Sequence, residues 1–270
     1  MMHPISACVI TYNEEENIHR LLSSLDFVDE IVILDSGSED QTLSIASEFS
    51  KVKIFHRNFD DYINQKNHCI DLALNDWVLS LDADEEVSQE LKFEILSLGK
   101  SSEAKGYEIP RLTFYLGKWI YHGGWYPNLQ LRFFNKKYGR FVGKLVHEKV
   151  VIQERISILQ NPILHYSYKN ISDHLDFINK YSGLFALEKH RKEKKASVFL
   201  AFGKAVYKFF NMYFIKKGFL DGRAGFIIAI LGFTYNFLKY IKIYELSITD
   251  KTSRAPEPIR RDRVHDDTLS

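Results

Sequence analysis

The ten residues from Trp77 to Glu86 constrain the fold more than any other stretch. Trp77-Val-Leu-Ser-Leu81 is uncharged, and four carboxylates follow within five positions, at Asp82, Asp84, Glu85 and Glu86. A short apolar run rich in Trp, Val and Leu reads as a strand buried on both faces. Its acids then emerge together at the C-terminal end, where the ligand crevice of an α/β sheet opens. Asp82 and Asp84, two apart on extended backbone, point the same way and can jointly hold a hard divalent cation through oxygen. The alternative is an acidic loop capping the next helix, Ser88 to Leu98.

The preceding chain alternates strand and helix. Ile5 to Ile10 reads as a first strand. Asn13 with Glu16 then makes a capping pair for a helix whose buried face carries Ile18, Leu21, Leu22 and Leu25. Glu30 to Leu34 is a second strand, followed by a capping pair at Ser38 and Gln41 and a stripe at Thr42, Ile45, Ala46 and Phe49. Val52 to His56 is a third strand, and Ile63, Asn67, Ile70 and Leu74 mark the helix before Trp77. This alternation predicts an α/β fold, a mostly parallel sheet with helices on both faces. The strand ends place Thr11 to Glu15, Asp35 to Ser38 and Asp82 to Glu85 on one edge. Thr11 and the backbone after it could cradle a diphosphate or base, and Asp35 could accept from a ribose hydroxyl or a base N–H, or serve only as a turn residue. Lys66 could reach a nucleotide or remain a solvated helix lysine.

Net charge is +1 over 270 residues with 26% charged, which excludes a global pull towards nucleic acid. Two cysteines, Cys8 and Cys69, lack metal-ligand spacing and fit a reducing cytoplasm. The run Ile5 to Ile10 is too short for the core of a signal peptide, so the chain is expected to stay in the cell.

Four motifs in order, Thr-Tyr-Asn-Glu-Glu at 11 to 15, Leu-Asp-Ser-Gly-Ser at 34 to 38, Gln-Lys-Asn at 65 to 67 and Leu-Asp-Ala-Asp-Glu at 81 to 85, resemble glycosyltransferase family 2. Within it they are most similar to bacterial lipopolysaccharide core β-1,4-glucosyltransferases. The resemblance covers about the first 170 residues and continues loosely beyond. It implies the GT-A fold, a nucleotide-diphosphate sugar donor (a UDP-sugar first among them), and Mg2+ or Mn2+ bridging the diphosphate to the acidic pair. It further implies that Thr11, Glu14 and Asp35 hold the nucleoside, that Asp82 touches ribose or metal, and that Asp84 ligates the metal.

After Leu98 the pattern changes. Tyr107 to Leu116 and Asn128 to Phe134 read as strands around an aromatic, glycine-rich loop, Trp119 to Tyr126, which suits the C–H faces of a sugar or forms a flap over the core. Gln130 and Arg132 share one strand face, and Arg132 could address a diphosphate or an acceptor phosphate. In the resembling enzymes a His-Glu pair, here His147 and Glu148, sits near the anomeric carbon. Glu148 is the candidate general base for an inverting transfer. His147 could ligate metal, orient Glu148 or fill the core. His165, in a strand-like stretch to Tyr168, could approach the active site, though it reads more readily as a core histidine.

Residues 171 to 248 combine a basic run, Lys189 to Lys195, with aromatic-rich helical sequence. The longest uncharged run, Ala224 to Leu238, is shorter than the roughly 20 residues a spanning helix needs. Helices lying on an anionic membrane surface, at the inner face of the cytoplasmic membrane, are therefore expected. An ordinary helical subdomain competes with that reading. Thr249 to Ser270 is polar and reads as a disordered tail. The functional expectation is a hexosyl transferase acting on a lipopolysaccharide core or other cell-surface glycan, glycan-linked or lipid-linked. Its rivals are a polyprenyl-phosphate glycosyltransferase and a non-catalytic membrane-associated protein with a degenerate fold.

Overall fold

The computed structural model describes residues 3–99, 103–143 and 148–252. Twelve strands are described: β1 Ile5–Thr11, β2 Glu30–Asp35, β3 Val52–His56, β4 Trp77–Asp82, β5 Glu85–Val87, β6 Gly106–Tyr115, β7 Lys118–Ile120, β8 Asn128–Asn135, β9 Arg140–Val142, β10 Lys149–Val151, β11 Ile156–Ile158 and β12 Ile163–His165. The helices are α1 Ile18–Ser24, α2 Thr42–Ser47, α3 Tyr62–Leu72, α4 Gln89–Ser97, α5 Ile171–Arg191, α6 Val198–Phe210 and α7 Gly222–Thr252. Short π and 3-10 turns, Asn211–Ile215 and Gly218–Asp221, lie between α6 and α7.

The main sheet runs β3-β2-β1-β4-β8-β6-β12-β5. Its first four strands are parallel, as the strand and helix alternation predicts, and β4 then pairs antiparallel with β8. Alternate residues of the parallel strands enter two separate cores. Ile5, Ala7 and Val9 with Ile31, Ile33, Leu79 and Leu81 pack under α1 and α4. Cys8, Val32, Leu34 and Val78 pack with Cys69 and Ile70 of α3. The period-two burial on both faces explains why these strands are apolar throughout. Sheet order and burial together give the α/β GT-A architecture, with α5 to α7 as a C-terminal helical region.

Two capping expectations are corrected. Helix α1 starts at Ile18 rather than after Asn13, and its cap residue Asn17 makes no side-chain cap bond. Asn13 instead takes φ +54° and links two loops. Helix α2 starts at Thr42, and Ser38 donates to Asp35 rather than capping it. In both places the side chains of the neighbouring loop outcompete the local cap. The acids after β4 also form more than a loop, since Glu85–Val87 is a strand paired antiparallel with β12.

Contacts divide the chain into two compact units, Met1–His174 with Asn211–Ile228, and Leu175–Phe210 with Ala229–Ser270. In the first, the turn at Asp221 is buried and bonded to the aromatic loop. Asp221 Oδ2 accepts from the backbone N–H of His122 at 2.8 Å, and its Oδ1 lies 3.1 Å from His122 Nδ1. In the second, Lys242 Nζ of α7 donates to Asn179 O, Asn179 Oδ1 and Ser182 Oγ of α5 at 2.8 to 2.9 Å. Helix α7 has 31 residues, about 46 Å at 1.5 Å per residue. By length and composition, Val198–Ile215 and Gly218–Thr249 could each cross a membrane. A continuous helix carries its apolar stretch past isolated lysines, so the uncharged run alone does not measure the helix. Helix α7 also continues through Thr252, into the stretch expected to be a tail; 253–270 lie outside the described residues.

Candidate active site

The parallel register sets Thr11 opposite Asp35 and Ile10 opposite Asp82, so three strand ends share one edge. The loops after β1 and β2 are stitched reciprocally. Asn13 N donates to Ser38 Oγ at 2.9 Å, Glu39 N to Asn13 Oδ1 at 2.9 Å, Glu14 N to Thr42 Oγ1 at 2.7 Å and Gln41 N to Glu15 Oε2 at 3.0 Å. The left-handed backbone at Asn13 makes this exchange possible, and Asn tolerates it better than most residues. Asp35 is fully buried and accepts from Gly37 N at 2.8 Å, Ser38 N at 3.0 Å and Ser38 Oγ at 2.5 Å. Its carboxylate shapes the loop that begins at it. Thr11 differs: its Oγ1 is buried with no hydrogen-bond partner among the described residues. A buried hydroxyl without a partner is costly unless something outside the chain satisfies it. Glu14 Oε2 accepts from Asn17 Nδ2 at 2.8 Å. Burial raises the Glu14 pKa, and the nearby charge of Asp84 adds to the rise.

Beyond β4 lies an alternating set of charges drawn from four distant segments. Asp82 Oδ1 is 2.9 Å from Lys66 Nζ of α3, and its Oδ2 is 2.5 Å from the Arg132 guanidinium of β8. Arg132 also reaches Glu85 Oε1 at 3.2 Å, and Arg111 of β6 lies 3.4 Å from the same oxygen. Lys66 Nζ is 3.5 Å from Glu148 Oε1, which brings the residue before β10 into the cluster. Burial pushes the Asp82 carboxyl up, but Arg132, Lys66 and Arg111 outweigh it and hold it well below the usual range. Burial would likewise lower the Arg132 pKa, and Asp82 and Glu85 reverse that to a net rise. Removing a partner from such a buried pair leaves an uncompensated charge. Arg132→Met is therefore expected to destabilise the fold by about 3–5 kcal/mol, read as a lower midpoint in urea unfolding with unchanged slope; a shift under about 1 kcal/mol would contradict this placement.

Asp84 is the acid of this group that carries no lysine or arginine contact among the described residues. Its side chain is 27% exposed, and Oδ2 lies 3.1 Å from His165 Nε2. The antiparallel register His165↔Glu85 sets the histidine there, and Tyr166 N donates to Asp84 O at 2.9 Å. Arg111 sits 2.9 Å from His165 Nε2 and Thr113 Oγ1 3.4 Å from its Nδ1. No local signal marks Arg111, and none pairs His165 with Asp84, because that contact spans 81 residues. His147 lies outside the described residues. The structure thus brings together Lys66, Asp82, Arg132 and Glu148, with Asp84 two residues along the chain; Thr11, Glu14 and Asp35 lie at the neighbouring strand ends.

The aromatic loop is largely packed rather than open. Trp119 meets Phe114 and Tyr166 with ring centres 5.1 and 5.5 Å apart, and Trp125 meets Tyr115 at 5.6 Å. Tyr121 remains half exposed. His174 stacks on Tyr168 at 4.1 Å, and its Nδ1 lies 3.0 Å from Tyr115 Oη. Burial lowers the His174 pKa from 6.5 to about 4, against a small opposing pull from Asp173. The unfolded chain takes up this proton below about pH 6.5 and the folded chain resists until about pH 4. Stability is then full above the unfolded value and falls between the two, by on the order of 3 kcal/mol. Urea unfolding from pH 7 to 4 should show that loss in the wild type and much less of it in His174→Gln; parallel profiles would refute the assignment.

Residues 6–104 match the family model described as Glycosyl transferase family 2. Over 263 residues the chain is 31% identical to an uncharacterized glycosyltransferase of Rickettsia typhi, covering 93% of this chain and 90% of that one. The chain belongs to glycosyltransferase family 2. Another relative, the lipopolysaccharide core biosynthesis glycosyltransferase LpsC of Rhizobium meliloti, is 28% identical over 251 residues, covering 90% and 92% of the two chains. Among solved structures, TarS residues 1–349 of S. aureus, in complex with UDP, aligns over 93% of this chain and 92% of that one. The TM-score is 0.49 and the identity 16%. The strand-end site described above falls within or just beyond the part that the family 2 model matches, except for Arg132, Glu148 and His165.

Proposed function

We propose that this family 2 glycosyltransferase transfers a hexose, glucose first, from a UDP-sugar to a lipopolysaccharide core or related cell-surface glycan, with inversion and with a divalent metal. The observation that carries the reading is the distribution of charge around Asp84. Arg132 and Lys66 occupy both oxygens of Asp82, whereas Asp84, equally exposed at the strand-end edge, has no lysine or arginine contact among the described residues. Among the described residues no three acids, histidines or cysteines are grouped to hold a metal. The Asp84 carboxylate, with Asp82 two residues before it, suits Mg2+ or Mn2+, hard cations that accept one or two carboxylates and fill their remaining positions with water and phosphate oxygens. Asp84 would hold the metal, with Asp82 behind it, and the metal would neutralise the charge that gathers on a departing diphosphate.

The chain's own residues supply the rest. Thr11 Oγ1 has a hydrogen bond to give at the donor edge. The Lys66 and Arg132 cations fix Asp82 and add positive potential where a diphosphate would lie. Glu148, whose Oε1 lies 3.5 Å from Lys66 Nζ, takes the proton of the acceptor hydroxyl as it attacks opposite the leaving group. The relationship to LpsC favours a lipopolysaccharide acceptor. The basic and aromatic helices favour the inner surface of the cytoplasmic membrane as the place of action. Polar bonds from α7 to α5 through Lys242 favour helices lying on the membrane over helices crossing it. Donor hydrolysis measured across UDP-, GDP- and dTDP-sugars, with Mn2+, with Mg2+ and with chelator, tests the reading. UDP-glucose with metal is expected to be consumed fastest, and equal rates with chelator would overturn the metal assignment.

A further inference from the structure

The second compact unit holds a cluster that the transfer reaction does not use. Lys189 of α5 and Lys239 of α7 are each half-buried and converge on Phe185 of α5. Lys239 Nζ lies 4.0 Å from the centre of the Phe185 ring and 4.8 Å from that of Tyr235, while Lys189 Nζ lies 5.2 Å from Phe185. One phenylalanine therefore holds two ammonium groups near it, an arrangement in which the ring quadrupole offsets part of their mutual repulsion. Burial lowers the Lys239 pKa, and the charges of Lys208 and Lys189 lower it further. Two half-buried cations this close, with the charge of Lys208 adding to theirs, are complementary to a compact anion with several acceptor oxygens.

Helix α6 states where such an anion would come from. Ala201, Ala205 and Lys208 lie on one helical face, and both alanines are fully buried. The other face presents Phe199 at 91% exposure, with Phe202 and Phe210 more than half exposed. An exposed aromatic face in a unit that also carries a lysine cluster suits attachment to an anionic bilayer, with rings among the acyl chains and cations at the headgroups.

We propose that Lys189 and Lys239, gathered around Phe185, form a binding site for the phosphate of an anionic phospholipid headgroup, with the exposed phenylalanines of α6 entering the leaflet. The site rests on the reading of this chain as a membrane-surface enzyme and adds to it a specific headgroup contact. It is tested by co-sedimentation of the full chain with vesicles of phosphatidylcholine alone and with 30% phosphatidylglycerol (roughly the anionic fraction that gives a strong surface potential). Wild type is expected to prefer the anionic vesicles. The double substitution Lys189→Gln with Lys239→Gln should weaken that binding by about 10- to 30-fold and leave the residual binding to neutral vesicles unchanged. Lys194→Gln with Lys195→Gln, which removes the same charge from an exposed segment of the same unit, should weaken it by no more than about 3-fold. Donor hydrolysis without vesicles should be the same in all three proteins, which shows that the fold is intact.

Equal losses from the two double variants would overturn the site in favour of diffuse charge attraction. Wild-type binding by the Lys189 and Lys239 variant would remove the site while leaving membrane attachment standing. Failure of the wild type to bind any vesicle would remove both. Calorimetry with inorganic phosphate at matched ionic strength separates the sources: heat lost in the variant together with unchanged vesicle binding would assign the cluster to a soluble phosphate and overturn the lipid assignment.

Discussion

Asp84→Ala is expected to abolish metal-dependent donor binding and to cut turnover by at least about 10²–10³, the scale on which the loss of a single preorganised charge-stabilising group is felt. The fold should survive. Its side chain is 27% exposed, and the contact given up is one hydrogen bond to His165 at 3.1 Å, worth about 1 kcal/mol. For a chain of this size that corresponds to a melting shift of about 2–4 °C. The contrast with Arg132→Met is the informative part. The two side chains belong to the same acidic cluster, yet one change should remove activity at nearly full stability and the other should remove stability first. Calorimetric titration of UDP with Mn2+ and a thermal melt on each variant check both halves. Wild-type nucleotide affinity in Asp84→Ala would place the metal elsewhere.

Glu148→Gln is expected to lower turnover by about 10²–10⁴ with donor affinity little changed, because the amide keeps size and hydrogen bonding but cannot take a proton. The 3.5 Å contact with Lys66 would become a weaker neutral one, which affects binding far less than it affects proton transfer. Steady-state kinetics with a fixed donor and varied acceptor separate the two effects. Near-normal turnover would move the base to another residue, or favour an acceptor whose nucleophile is already an anionic phosphate.

Much of this site could be read from the sequence because its parts are strand ends. A run such as Trp77 to Leu81 announces a buried strand, and whatever follows it must surface at the crevice. Thr11, Asp35 and Asp82 were placed on one edge by that rule, and the parallel register puts them there. What sequence order does not encode is which charges meet across the sheet. Lys66, Arg132 and Glu148 come from α3, β8 and the approach to β10, and the contact between His165 and Asp84 depends on a short antiparallel pairing beyond an acidic segment that reads as a loop. The capping residues misled for a related reason. Asn13 and Ser38 have good local partners, but the facing loops offer each other more complete hydrogen bonding. The uncharged run is a poor measure of helix length for a different reason, since lysines that interrupt an apolar run do not interrupt the helix. The aromatic loop shows the limit of composition. Two tryptophans read as a sugar platform or a flap, and in the fold both make ring contacts with their own unit.

The central claim is that the carboxylate at Asp84 recruits a divalent metal to hold a nucleotide diphosphate. Isothermal titration of the wild-type chain with UDP, in Mn2+ and then in excess chelator, tests it most directly. The account predicts saturable binding with metal that weakens by at least about 10²-fold without it, the loss of roughly 3 kcal/mol. Equal affinity in the two buffers would contradict it.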